Sequence, residues 1–139
     1  MKITATILIV LALVIGIVPQ FTDCQSQGQA ITLQNGKTIP MKCHWTALAE
    51  LVVAVPLLAI GIMFTIVKRK ETAVMLGILG IILSIFTILL PNWLIGVCSS
   101  DMPCNLIMQP LLTVCGILAL VASLAALVLA TRLREPAAQ

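Results

Sequence analysis

Four long aliphatic runs dominate the chain, and they leave it few ways to fold. They span residues 3–18, 47–67, 72–90 and 106–130, with only short polar stretches between them. A run of roughly 20 apolar residues is what a helix needs to cross the hydrocarbon core of a bilayer. In lipid every backbone N–H and C=O must be satisfied within the segment, so each run is expected to be a helix. Composition agrees. Of 139 residues 60% are hydrophobic and 9% are charged, where a soluble domain carries about 25% charged. The expected fold is all-α: a bundle of four transmembrane helices in one domain, residues 1–139, with outer loops at 19–45 and 91–104.

The first run follows Lys2 and resembles a signal peptide in length. The small residues that would mark a cleavage site are missing, and Phe21-Thr22-Asp23-Cys24 lacks the pattern of a lipoprotein signal, so a retained first helix is expected. Pro19 is expected to end it. Pro56, inside the second run, should kink that helix. Pro91 should close the third run, and Asp101 is a candidate N-cap for the fourth, with Pro103 in its first turn.

Charge sets the orientation. Lys2, Lys68, Arg69, Lys70, Arg132 and Arg134 fall on one side if both termini lie together, and only Lys37 and Lys42 fall on the other. The positive-inside rule then puts both termini in the cytoplasm of a plasma-membrane protein, with the cysteine-bearing loops outside. Trp45 and Trp93 fall at outer helix ends, as interfacial tryptophans do. The basic residues signal topology, and nucleic acid is not an expected partner.

Within the first outer loop, Ile31 to Ile39 alternates around Asn35-Gly36. That dipeptide is the strongest short hairpin signal and predicts a type I′ turn. An isolated hairpin is marginal in water. Cys24 and Cys43 flank this one, and their pairing would add roughly 3 kcal/mol by loop closure. Cys98 and Cys104 flank the second loop. Four cysteines on an oxidising face point to two disulfides, locally Cys24–Cys43 and Cys98–Cys104, although four allow three connectivities. Cys115 reads as a packing residue.

The two halves repeat a pattern. Pro19, Cys24 and Met41-Lys42-Cys43 are matched by Pro91, Cys98 and Met102-Pro103-Cys104, each unit opening a returning helix. This reads as a parallel 2+2 repeat. Small residues (Ala122, Ala126 and Ala130; Gly77 and Gly80) mark close helix contacts, within the bundle or with a partner helix.

Most of the reactive chemistry sits in Met41–Glu50. Cys43 and Glu50 are two turns apart and share a helix face. Glu50 lies one turn into the membrane, where a carboxylate is costly unless paired, neutral or near water. It is either a proton or cation site, or a side chain reaching back to the interface or to helix-start N–H groups. Met41, Cys43, His44, Met102, Cys104 and Met108 are soft ligands suited to monovalent copper, and two outward cysteine pairs resemble quinone-linked thiol oxidases. Neither pattern has a C-x-x-C or H-x-x-H core. His44 is the only histidine, and a hydrogen-bonded structural role is expected for it. No Ser-His-Asp set, phosphate loop or hydrolytic acid pair is present. No catalytic residue and no cofactor are expected, and Glu50, His44, Met41 and Met102 remain the candidate functional residues.

Met41-Lys42-Cys43-His44-Trp45-Thr46 with Glu50, together with Cys98-x3-Met102-Pro103-Cys104, resembles domain of unknown function family 4418. This is an uncharacterised family of small bacterial and archaeal four-helix membrane proteins, and the resemblance covers nearly the whole chain. Where that family often has histidine after the second Met-Pro-Cys, this chain has Asn105, which weakens a metal site drawn from both halves. The resemblance implies the topology and no activity, and points to a role beside ABC-type export systems. The leading expectation is a non-enzymatic accessory or structural subunit of a membrane assembly. It would contact lipid and a membrane-protein partner or further copies of itself. The alternative is an extracytoplasmic thiol-disulfide or copper-handling protein.

Overall fold

The computed structural model describes residues 2–23, 28, 31–97 and 104–132. Four helices follow the four apolar runs: α1 (Lys2–Thr22), α2 (Lys42–Ile66), α3 (Lys70–Leu89) and α4 (Gln109–Arg132). A wide π turn, Leu90–Leu94, extends α3, and another, Cys104–Met108, leads into α4. With those turns the four spans have mean hydropathies of 2.4 to 2.8 and are long enough to cross a membrane.

The helices form two antiparallel hairpins. α1 packs most extensively on α2, and α3 on α4. The α1–α4 contact is smaller, and α2–α3 is the sparsest of the four. The 67–69 linker joins the hairpins at one end of the bundle. The other end carries the π turns and a two-stranded ribbon, and is called the hairpin end below.

Each helix buries a stripe and turns bulky aliphatics outward. On α1 the buried face is Ala5, Leu8, Ala12, Ile15 and Pro19, while Ile3, Val10 and Ile17 are exposed. The buried faces are rich in small residues. A Cβ at Gly61 would stand 2.8 Å from Ile9 Cγ1 and 3.2 Å from the Ile9 backbone nitrogen. A Cβ at Gly80 would stand 2.8 Å from Ser123 Oγ. Ala122, Ala126 and Ala130 are buried, as are Gly77 and Gly80. The small-residue ladders are therefore used inside the bundle, where lipid offers no hydrophobic drive and close van der Waals contact holds helices together.

Several expectations needed correction. Pro19 does not end α1, which runs on to Thr22. Only one further turn follows the proline, and side chains help to hold it: Thr22 Oγ1 donates to Val18 O, and Gln20 Nε2 donates to Ala47 O on α2 at 2.8 Å. Pro91 does not close its segment either. The helix widens there, and the Ile95 and Gly96 amides donate to Leu90 O at 3.1 and 3.2 Å. α2 begins at Lys42, a full turn before the expected start, which draws Cys43 and Thr46 into the bundle.

The ribbon is present, but its turn is of another type. β1 (Ile31–Thr32) and β2 (Thr38–Ile39) pair antiparallel, Ile31 with Ile39 and Thr32 with Thr38. Gly36 alone in the turn has positive φ, at 73°, and Asn35 does not. The Gly36 amide donates to Leu33 O, and the Leu33 amide to Lys37 O, both at 2.9 Å. This is a type I turn on Gln34-Asn35 closed by a left-handed Gly36, a G1 bulge, rather than type I′. Asn35 thereby avoids left-handed backbone, which costs a side chain more than it costs glycine.

No disulfide is seen among the described residues. Cys24, Cys98 and the Cys104 side chain lie outside them, as do Asp101, Met102 and Pro103.

Candidate functional site

Two turns at the start of α2 carry His44 and Glu50, with Met41 just before the helix. Starting the helix at Lys42 puts Cys43, Ala47 and Glu50 on one inward stripe, all with no exposed surface. Thr46, also fully buried, lies beside them. The stripe continues through Ala54, Leu57 and Gly61.

At the mouth of the stripe, His44 Nδ1 lies 2.8 Å from Asp23 Oδ2. Asp23 is only 4% exposed, while the imidazole is partly open to solvent. The contact ties the end of α1 to the start of α2. His44 also meets the Trp45 ring edge-on, with centroids 6.0 Å apart. Half a turn further in, Thr46 Oγ1 donates to Gly96 O at 2.8 Å and lies 3.3 Å from Lys42 O. This contact pins α2 to the extension of α3.

Glu50 comes next. Of its two expected roles, the interfacial one is removed. Its carboxyl has no exposed surface, and neither oxygen has a hydrogen-bond partner. It therefore neither reaches water nor bonds helix-start N–H groups. Its polar neighbour is Thr87 on α3. That side chain falls short of hydrogen-bond geometry to the carboxyl, and its hydroxyl instead donates to Leu83 O at 3.2 Å. Thr87 is also close to α4, since a Cβ at Gly116 would stand 3.4 Å from Thr87 Cγ2. Below Thr87, Ser84 Oγ donates to Gly80 O at 2.7 Å. Ser123 of α4 packs on Gly80, and its buried hydroxyl has no partner. The result is an internal polar row through Glu50, Thr87, Ser84 and Ser123, along the side of α3 that faces α2 and α4.

Of the soft ligands, Met102 and the Cys104 side chain lie outside the described residues. Met108 and Cys43 are buried in the core, and Met41 packs against its edge. Among the described residues no three His, Cys, Asp or Glu side chains form a group that could hold a metal ion. Asn105, Gln109, Thr113 and Asn92 line an open cleft at the hairpin end of the second half. Gln109 Nε2 donates to Asn92 Oδ1 at 3.0 Å, and Asn92 Nδ2 to Thr113 Oγ1 at 3.2 Å.

Sequence reasoning missed Asp23, Thr46, Thr87, Ser84 and Ser123. A signal was present: Gly80, Ser84 and Thr87 recur at helical spacing within an otherwise aliphatic run, as one polar face does.

Four apolar helices around an internal polar row are the architecture of a multi-pass membrane protein. Residues 3–129 match the family model described as "Domain of unknown function (DUF4418)", and the chain belongs to that family. No curated protein and no solved structure matches it.

Proposed function

We propose that the chain is a non-enzymatic accessory subunit of a larger membrane assembly, which it contacts through its hairpin end. The observation that supports this is the β1–β2 ribbon. All four strand residues are exposed, and Ile31, Leu33 and Ile39 keep 41–53% of their surface open. The ribbon packs on no helix to any substantial extent. Exposed apolar side chains on a short sheet with open edges suit a protein partner, because a partner strand can satisfy the edge and cover the aliphatics. The lateral surface of the helices carries large aliphatics, as lipid contact requires, and the small residues that favour helix–helix docking are turned inward.

In this reading both termini are cytoplasmic and the ribbon is extracytoplasmic. Lys2, Lys68, Arg69, Lys70 and Arg132 gather at the end opposite the ribbon, which is the distribution the positive-inside rule associates with the cytoplasmic face. Cys24–Cys43 and Cys98–Cys104 disulfides would brace the hairpin end. The Asp23–His44 contact supports the first, since it brings the chain neighbours of Cys24 and Cys43 to within hydrogen-bond distance.

Purification in mild detergent, with intact mass and partner identification, tests the proposal. A membrane-protein partner should copurify in fixed ratio and be lost from an Ile31→Lys, Leu33→Lys variant. The non-reduced mass should show two disulfides. Wild-type protein that purifies alone, or a partner retained by the variant, would overturn the reading.

A further inference from the structure

Both Glu50 oxygens are buried without a partner because of what surrounds them. Thr46 commits its proton to Gly96 O, Thr87 donates to Leu83 O, and Ser84 commits its proton to Gly80 O. Thr87 is set against the carboxyl, and its single proton serves either Leu83 O or Glu50. An ionised carboxylate offers only lone pairs. One shared hydroxyl leaves it without a counter-charge, in surroundings where an unpaired polar group is costly. Among the described residues no basic side chain of α2, α3 or α4 is placed to supply that charge, because Lys42, Lys70 and Arg132 all sit at helix ends. α3 brings no ionisable group near Glu50, its Glu71 lying at the opposite end of the bundle. α4 contributes Cys115, next to the Gly116 that meets Thr87, and no charge. Cys43 lies two turns up α2. Asp23, just past the end of α1, is held by His44 nearer the mouth.

We propose that Glu50 is an exchangeable proton site, loaded and unloaded from the hairpin end of the bundle. A bound proton makes one carboxyl oxygen a donor and gives the Thr87 hydroxyl oxygen something to accept. The step is a proton transfer alone. The proton leaves water at the mouth, where the partly exposed His44 imidazole stands, and passes the Thr46–Gly96 contact. It neutralises a carboxylate four residues, or about 6 Å, further along the helix axis. Beneath it, Ser84 and the unpartnered Ser123 hydroxyl carry the polar row deeper into the bundle.

Labelling of the full-length protein in detergent with dicyclohexylcarbodiimide tests this, because the reagent partitions into apolar sites and reacts with the protonated carboxyl. The expected result is an adduct on Glu50 whose rate of formation falls roughly tenfold per pH unit above a midpoint, reversibly. The infrared C=O band of a protonated carboxyl should fade over the same range. Glu50→Gln should lose both signals and Glu71→Gln should keep both. His44→Gln should slow hydrogen–deuterium exchange of the band while leaving its amplitude intact. Since wild-type protein carries the central measurement, a misfolded variant cannot mask the answer. Absence of the adduct would overturn the proposal. So would an adduct and band that ignore pH, which mark a locked structural proton. Protection by sodium chloride over choline chloride at fixed pH would assign the site to a metal cation instead.

Discussion

In the α1–α2 hairpin, the residue after the helix-end proline is Gln20, and its amide reaches across to Ala47 O. In the α3–α4 hairpin, the residue after the proline is Asn92, and its amide reaches across to Thr113. Both hairpins also use glycines to bring backbones together, Gly61 against Ile9 in one and Gly77 against Leu127 in the other. The frame recurs, but the chemistry on it does not. Where the first half opens its returning helix with Cys43-His44 and follows with Glu50, the second has Cys104-Asn105 and uncharged amides. At the seam the first hairpin supplies the buried carboxyl, and the second faces it with the Thr87 hydroxyl. A bundle of two hairpins can thus hold a single carboxyl: one half supplies the acid and the other lines it.

That comparison can be broken at the shared frame first. Gly61→Val should cost the most, roughly 2–3 kcal/mol, because the added atoms meet backbone of α1 as well as a side chain. Gly77→Val should cost a similar amount in the second hairpin. Thermal unfolding in detergent reads both, and unequal losses would deny that the two frames are equivalent.

The difference between the halves predicts the next effect, of opposite sign. Glu50→Leu removes a buried carboxyl that has no partner, so it should raise stability by about 1–3 kcal/mol. Thr87→Val, whose hydroxyl donates to Leu83 O of its own helix and faces the Glu50 carboxyl, should stay within about 1 kcal/mol of wild type. Destabilisation by Glu50→Leu would mean that the carboxyl is held by an interaction its surroundings do not offer.

The clamps at the mouth come third. His44→Ala leaves the buried Asp23 without its imidazole and should cost roughly 1–2 kcal/mol, discounted for the partial exposure of the ring. Asn92→Ala, which loses an exposed amide bond to Thr113 in the other hairpin, should cost about 0.5 kcal/mol. The smallest effect belongs to the ribbon. Gly36→Ala forces a side chain into left-handed backbone for about 1 kcal/mol of local ribbon stability, leaving the melting of the bundle unchanged.

Much of this was legible in the sequence. The four spans follow from hydropathy, because lipid leaves the backbone no alternative to helix. The ribbon follows from Asn35-Gly36 between alternating strands. The turn type was not legible, because the same dipeptide fits two turns that differ only in which residue takes positive φ. The prolines were misread as terminators. Pro19 sits within a turn of the helix end, where little hydrogen bonding is left to lose, and a π turn accommodates Pro91. Glu50 was flagged on cost alone. That it lacks a partner depends on which face of α3 meets α2, and a register between helices is not encoded in either one. Asp23 was hidden for the same reason, since its role exists only once α1 and α2 are side by side.

The sparse α2–α3 contact has a consequence for biogenesis. Each hairpin has its large interface within itself, so each can leave the insertion machinery as a finished pair of helices, and the two dock afterwards. Until they do, α3 has yet to bring Thr87 against Glu50. An unassembled first hairpin therefore holds its acid without the hydroxyl that lines it in the completed bundle.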